Sequence, residues 1–223
     1  MALDTSYQFL LEIKSNNNRE WFGKNKDRFL AAQEEVKTFV SDLIALMKAH
    51  DHIDEGLTKI YRIYKDVRFS KDKTPYKTNW SANIKRATTP LRGGYYLQIE
   101  PGNTFLAGGF FGPNAADLLH IRKHLLQDAR PLRQVMDDAS FSKYFGGLQG
   151  GRVKSAPKGF SKDAENIDLI RYKSFYFHHY FTDQELLDSN FVEKVSEGFK
   201  QLRPYFDVMS EWLNTDHNGE PLI

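Results

Sequence analysis

Between residues 61 and 80 the chain carries six cations, Arg62, Lys65, Arg68, Lys71, Lys73 and Lys77, interleaved with Tyr61, Tyr64, Phe69, Tyr76 and Trp80. Cations this close repel one another unless water or an anion compensates them. The aromatic faces among them are platforms on which a planar group can stack. Arg68 has the planar fork that grips a phosphate or carboxylate with two hydrogen bonds, whereas Lys73 and Lys77 act as point charges. Pro75 fixes its own φ and biases Thr74 towards extended backbone, which stiffens the loop that holds them. Asp66 and Asp72 can orient the neighbouring cations or neutralise them. The competing reading is a lysine-rich strand edge whose charge prevents sheet-to-sheet aggregation.

A second basic group, Lys154, Lys158, Arg171 and Lys173, matters for function if it folds against the first. The candidate ligand-binding set is therefore Arg62, Asp66, Arg68, Lys73, Tyr76, Lys77, Lys158 and Arg171. Other chemistry is weaker. Asp117, His120 and His124 share one helical face with the donor types of a zinc site. Arg122 and Lys123 add unfavourable charge, and Leu118, Ile121 and Leu125 mark a different, apolar face. The histidines are accordingly expected to face solvent, and no metal is assigned. His178 and His179 in a strand point to opposite faces, so a hydrogen-bonded structural role is favoured over acid–base work. Gly108-Gly109 is read as a bulge or a close helix approach rather than a ligand cradle. The run at 146–151, GGLQGG, lacks the lysine of a phosphate-binding loop. None of Ser70, Ser81, Ser155 and Ser174 has a nucleophile-elbow context.

The elements that must position these residues follow from pattern and punctuation. Residues 5–8 read as the cap of a first helix running to about Lys14. Asn16-Asn17-Asn18 is a turn and N-cap cluster ahead of a long amphipathic helix, broken near Gly23 and ending before His52. Strands are expected at 60–69, 80–86, 95–100 and 104–111, with Pro101-Gly102-Asn103 as a hairpin loop. Asn114 caps a helix to about Gln127, and a shorter helix follows Pro131. A short helix over 166–172 precedes an aromatic strand at 175–181. Thr182-Asp183-Gln184-Glu185 is a capping box that opens the last helical region, interrupted at Pro204. Residues 217–223 read as a loose tail.

The chain has 223 residues, 40% hydrophobic and 27% charged, with 17 Phe, 11 Tyr and no Cys. That composition belongs to a folded, soluble protein with an aromatic core. It excludes disulfides, thiolate catalysis and cysteine-ligated metal. Residues 59–100 hold 10 Lys/Arg against 3 Asp/Glu, a balance of +7, while residues 181–223 hold 3 against 9, a balance of −6. The net +2 therefore hides a basic middle between acidic ends. No apolar run is long enough to span a bilayer, and the N-terminus lacks a leader pattern, so the cytoplasm is the expected compartment and no membrane partner is expected. The fold expected is one α+β domain with a mostly antiparallel sheet flanked by N-terminal and C-terminal helices. Its segments are 1–52 helical, 60–111 strand-rich, 114–138 helical, 150–181 basic and irregular with a strand, and 182–213 helical.

The segment 66–78, DVRFSKDKTPYKT, resembles the signature of a widespread family catalogued as domain of unknown function 2461. Three further stretches resemble it in the same order: NNREWF at 17–22, YYLQIEPGNTFLAGGFF at 95–111 and PKGF at 157–160. The likeness runs over nearly the whole chain. It implies a single-domain member and carries over no activity, cofactor or catalytic residue.

The residues themselves point to a phosphate-bearing or other anionic small molecule, held by the basic, aromatic-rich loop. The alternative is nucleic acid bound across a broad basic face, with Tyr64, Tyr76 or Trp80 stacking on bases. Metal-assisted hydrolysis through Asp66, Asp72 or the histidines ranks third. No cofactor and no oligomeric state can be assigned from these patterns.

Overall fold

Helical periodicity gives way to strands and returns in the computed structural model, which describes residues 3–216 and 218–222. Three helices open the chain: α1 (Asp4–Ser15), α2 (Arg19–Lys24) and α3 (Lys26–Met47). Four strands follow, β1 (Ile53–Ile60), β2 (Trp80–Arg86), β3 (Gly94–Ile99) and β4 (Thr104–Phe110). Next come α4 (Ala115–Gln127), α5 (Arg130–Asp137), α6 (Ala139–Phe145), α7 (Ile167–Ile170) and β5 (Phe175–Phe181). The short α8 (Asp183–Leu186), then α9 (Phe191–Gln201) and α10 (Arg203–Asn214), complete the described elements. The strands form one antiparallel sheet in the order β1-β2-β3-β4-β5, so each strand pairs with its neighbour in sequence. The α+β class and the helical flanks at both ends are as the sequence predicts.

Two compact units divide the chain. One comprises the described residues up to Lys85, with Tyr96–Leu106 and Tyr180–Lys200. Its core gathers Phe9, Leu10 and Ile13 of α1, Phe29, Phe39 and Leu43 of α3, Trp80 of β2 and Leu97 of β3, each 5% exposed or less. Phe29 stacks on Trp80 at 5.7 Å, and Phe39 on Phe191 of α9 at 5.6 Å. The other unit comprises Arg86–Tyr95, Ala107–His179 and the described residues from Gln201 onward. There Phe177 of β5 packs edge-on against Phe141 and Tyr205, at 4.9 and 5.0 Å.

The local punctuation works mostly as read. Asn114 accepts the Asp117 N–H at 2.9 Å, and Thr182 with Glu185 makes both halves of the capping box. Gly109 has φ +146°, and a Cβ there would lie 2.3 Å from the Phe175 carbonyl oxygen; one at Gly108 would lie 2.4 Å from Leu202 of α10. Both glycines are therefore packing requirements, as favoured.

Four expectations change. The first helix is not capped by its own Thr5 or Ser6. Instead the Glu35 carboxylate accepts their backbone N–H groups at 3.3 and 2.7 Å. The break after α2 falls at Asn25 rather than Gly23. The first strand is β1 at Ile53–Ile60, not 60–69, because the polar run IDEGLTKI pairs at the sheet edge where charge is tolerated. In the tail, Leu222 N–H donates to the Asn214 carbonyl and Asp216 N–H to that of Glu220, both at 2.7 Å, so the described part folds back. His217 and Ile223 lie outside the described residues. Among the described residues no helix is long and apolar enough to cross a membrane.

Candidate functional site

The basic segment is built on a hairpin. Beyond β1 the pairing with the β2 side continues: Tyr61 N–H donates to Ser81 at 2.8 Å, Lys77 N–H to Ile63 at 2.7 Å and Lys65 N–H to Pro75 at 2.8 Å. Residues 66–74 form the loop at the tip of this ladder. Its inner side is clamped to the N-terminal turn. The Asn17 amide donates to the Tyr76 carbonyl at 2.9 Å and accepts the Tyr76 N–H at 3.1 Å. Phe22 stacks on the Tyr76 ring at 4.0 Å, with planes 11° apart. Two stretches some sixty residues apart, NNREWF and the basic signature, thus meet. Between them lies an open cleft of about 600 Å³, lined by Asn17, Asn18, Arg19, Val67, Asp72 and Lys73 with Thr74 and Pro75.

At the loop, Arg68 and Lys65 are paired with carboxylates, while among the described residues Lys71 and Lys73 are in no ion pair. Arg68 offers its fork to Asp66, with Nε–Oδ1 at 3.0 Å and Nη2–Oδ2 at 2.7 Å. Lys65 pairs with Asp72 at 2.8 Å, and Thr74 donates to Asp72 through both its hydroxyl and its N–H. The Lys73 ammonium donates to the Val67 carbonyl at 3.0 Å. The Arg68 guanidinium, more than the weaker field of Arg62, holds the Asp66 carboxyl below the ordinary range. Lys65, then the Thr74 donors, hold Asp72 well below it. The Arg68 fork read as a free anion grip is therefore closed by its neighbour two residues away.

A second group of cations lies at the base of the ladder. Lys59 and Lys77 approach the same Tyr61 ring, their Nζ atoms 5.2 and 5.3 Å from its centroid. Burial first, then the charges of Arg62 and Lys59, push the Lys77 ammonium below the ordinary lysine value. Among the described residues, Lys59, Arg62 and Lys77 have no carboxylate in ion-pair contact. The nearby carboxylate of Glu100 accepts instead from Thr78 at 2.8 Å, Gln98 at 2.9 Å and Asn103 at 2.9 Å. Two ammonium groups over one phenol ring, with Arg62 near enough to Lys77 to help lower its pKa, concentrate positive charge at the base of the hairpin.

Of the remaining sequence candidates, the aromatic rings are taken up by packing. Tyr76 is 5% exposed and Trp80 0%, so neither ring can receive a base; Tyr64 is 45% exposed but its edge packs on Phe22 at 5.6 Å. Lys158 and Arg171 belong to the other unit. Lys158 is exposed in the irregular connection, and the Arg171 guanidinium donates to the carbonyls of Val153 at 2.8 Å and Lys154 at 2.7 Å.

The histidines expected to face solvent do not. His120 Nε2 lies 2.8 Å from the carbonyls of both Trp212 and Thr215, and His124 stacks on Trp212 at 5.5 Å. Asp117 is held by Arg92 at 2.5 Å. His179 stacks on Tyr144 at 3.8 Å and hydrogen-bonds its carbonyl, the structural role favoured for it.

Sequence reasoning missed Lys59, which sits just before the run that drew attention. It also missed Tyr96, Phe105 and Tyr180, which lie on the opposite sheet face from the buried Leu97, Ile99, Leu106 and Phe181. The signal was present in the alternation of 95–99, where Tyr95, Leu97 and Ile99 are buried and Tyr96 and Gln98 are not. A protein-family model described as Conserved hypothetical protein (DUF2461) matches residues 5–207. No curated protein and no solved structure matches the chain.

Proposed function

The chain belongs to the family of conserved hypothetical proteins DUF2461, and since that description names no reaction, we propose from the geometry that it binds a phosphate-bearing or similarly anionic ligand at Lys59, Arg62 and Lys77. One observation carries this reading: two ammonium groups approach the Tyr61 ring within 5.3 Å beside a third cation, with no carboxylate in ion-pair contact among the described residues. An anion relieves their mutual repulsion, and Arg62 supplies a planar fork for two of its oxygens. The ladder through Tyr61 and Lys77 fixes the register of these side chains before a ligand arrives.

This reading moves the anion site from the tip of the loop to its base. At the tip, Asp66 and Asp72 already serve as the counter-ions. The test is thermal unfolding of the purified protein with increasing inorganic triphosphate. A ligand bound to the native state raises the midpoint in proportion to the logarithm of its concentration. The rise is expected for the natural chain and is expected to vanish in Arg62→Ala/Lys77→Ala. No rise with triphosphate, or an equal rise in that variant, contradicts the reading.

A further inference from the structure

Beside the cation seat runs a row of aromatic rings on one face of the sheet. Tyr61 N–H donates to the Ser81 carbonyl across the ladder at 2.8 Å, and the Tyr96 hydroxyl, which donates to Gln98 Oε1 at 3.2 Å, lies close enough to the Ser81 side chain and the Tyr61 phenol to feel both. From Tyr96 the row steps to Phe105 at 5.8 Å and from Phe105 to Tyr180 at 5.4 Å. These three rings come from β3, β4 and β5, adjacent strands of the sheet. Tyr180 is 55% exposed, and Tyr96 and Phe105 are half-buried. Phosphate-directed charge thus stands at one end, and successive aromatic surfaces lead away from it.

We propose that this face binds single-stranded nucleic acid, its phosphates at Lys59, Arg62 and Lys77 and its bases stacked along Tyr96, Phe105 and Tyr180. The inference rests on the anion-site reading above and extends it to the rest of the ligand. Charge complementarity selects a polyanion. Three rings on neighbouring strands, about 5 Å apart per strand, suit several successive bases rather than one planar group. Stacking of this kind requires unpaired bases, because a duplex hides their faces.

The experiment is fluorescence anisotropy with labelled ten-nucleotide oligouridine and oligothymidine, a duplex of equal length, and inorganic triphosphate as competitor. Saturable binding of either single strand supports the proposal, provided that Tyr180→Ala combined with Phe105→Leu weakens it about tenfold or more. The affinity of the same variant for triphosphate is expected to be unchanged, which also shows that the variant is folded. With three phosphates neutralised, the logarithm of affinity should fall against the logarithm of salt with a slope of about −2. A duplex that binds as tightly as the single strand overturns the proposal. So does single-strand binding indifferent to the aromatic replacements; in that case triphosphate binding that disappears in Arg62→Ala/Lys77→Ala leaves the anion site standing. If triphosphate does not bind either, both readings fall together.

Discussion

The loop at 66–74 and the ladder beneath it are equally basic to the eye, yet they treat charge in opposite ways. At the loop, Arg68 is closed on Asp66 and Lys65 on Asp72, so two of its cations have a carboxylate in contact. In the ladder, Lys59 and Lys77 share the Tyr61 ring with Arg62 near Lys77, and among the described residues none of the three has a carboxylate in ion-pair contact. A count of lysines and arginines cannot separate these cases. What separates them is whether the chain places a carboxylate in contact with the cation. Exposed ion pairs contribute little to stability. On the proposed reading, an uncompensated cluster is held at a cost that a bound anion would recover.

The difference can be sharpened by substitutions, beginning with the largest expected effect. Both regions hang on the clamp behind Tyr76. Removing the buried Phe22 ring, which is 4% exposed and stacked on Tyr76, is expected to lower unfolding stability by roughly 3–5 kcal/mol in denaturant titration. Asn17→Ala leaves the Tyr76 N–H and carbonyl unpaired in a part-buried place and should cost about 1–3 kcal/mol. Both changes act on the fold, so they should lower anion affinity only as far as they unfold the ladder.

Next in size is the effect on binding. Arg62→Ala/Lys77→Ala is expected to weaken triphosphate by about 10- to 100-fold, the scale of two charge-assisted contacts. The same variant should not be less stable than the natural chain. The sign follows from Lys77, whose folded-state pKa lies below its unfolded value. The unfolded chain then holds more protons, so this residue's contribution to stability rises as pH climbs from the folded value to the ordinary lysine value. At neutral pH its charge works against folding, and Lys77→Met should leave the melting temperature unchanged or raise it. Anion affinity should fall as the solution becomes alkaline enough to discharge Lys77.

A smaller effect is expected in acid. Asp66 and Asp72 have folded-state pKa values below their unfolded ones. Their stabilisation is present above the ordinary carboxylate range and is lost as pH falls through that range towards the folded values. Asp66→Asn/Asp72→Asn should flatten the acid limb of a melting-temperature profile. The smallest change of all is expected from Arg68→Ala, whose guanidinium is largely exposed; its melting temperature should match the natural chain within error.

How far the fold could be read from the sequence depended on whether its cause was local. Asn114 with Asp117, the Thr182 capping box and the alternation of 175–181 are decided within a few residues, and they were read with their boundaries nearly right. The cap of α1 comes from Glu35, about thirty residues on, and no local pattern announces it. β1 is polar because it lies at the sheet edge, so a search for apolar strands slid seven residues past its start. The histidines of α4 were misread because their partners are the carbonyls of Trp212 and Thr215 in and just after α10, nearly a hundred residues away. The candidate site divides in the same way. Its residue types were legible, and so was the capacity of Asp66 and Asp72 to neutralise cations. The gathering of Lys59 with Lys77, eighteen positions apart, around one ring depends on the register of the hairpin between them, which spacing alone does not give.

The most direct measurement is isothermal titration of inorganic triphosphate into two double variants beside the natural chain. Arg62→Ala/Lys77→Ala removes cations of the ladder, and Arg68→Ala/Lys73→Ala removes the same number from the loop. If the uncompensated cluster is the anion site, the first variant loses binding by tenfold or more and the second stays within about threefold of the natural chain. Equal losses, or a larger loss from the loop variant, would contradict the account and place the anion in the cleft beside Lys73.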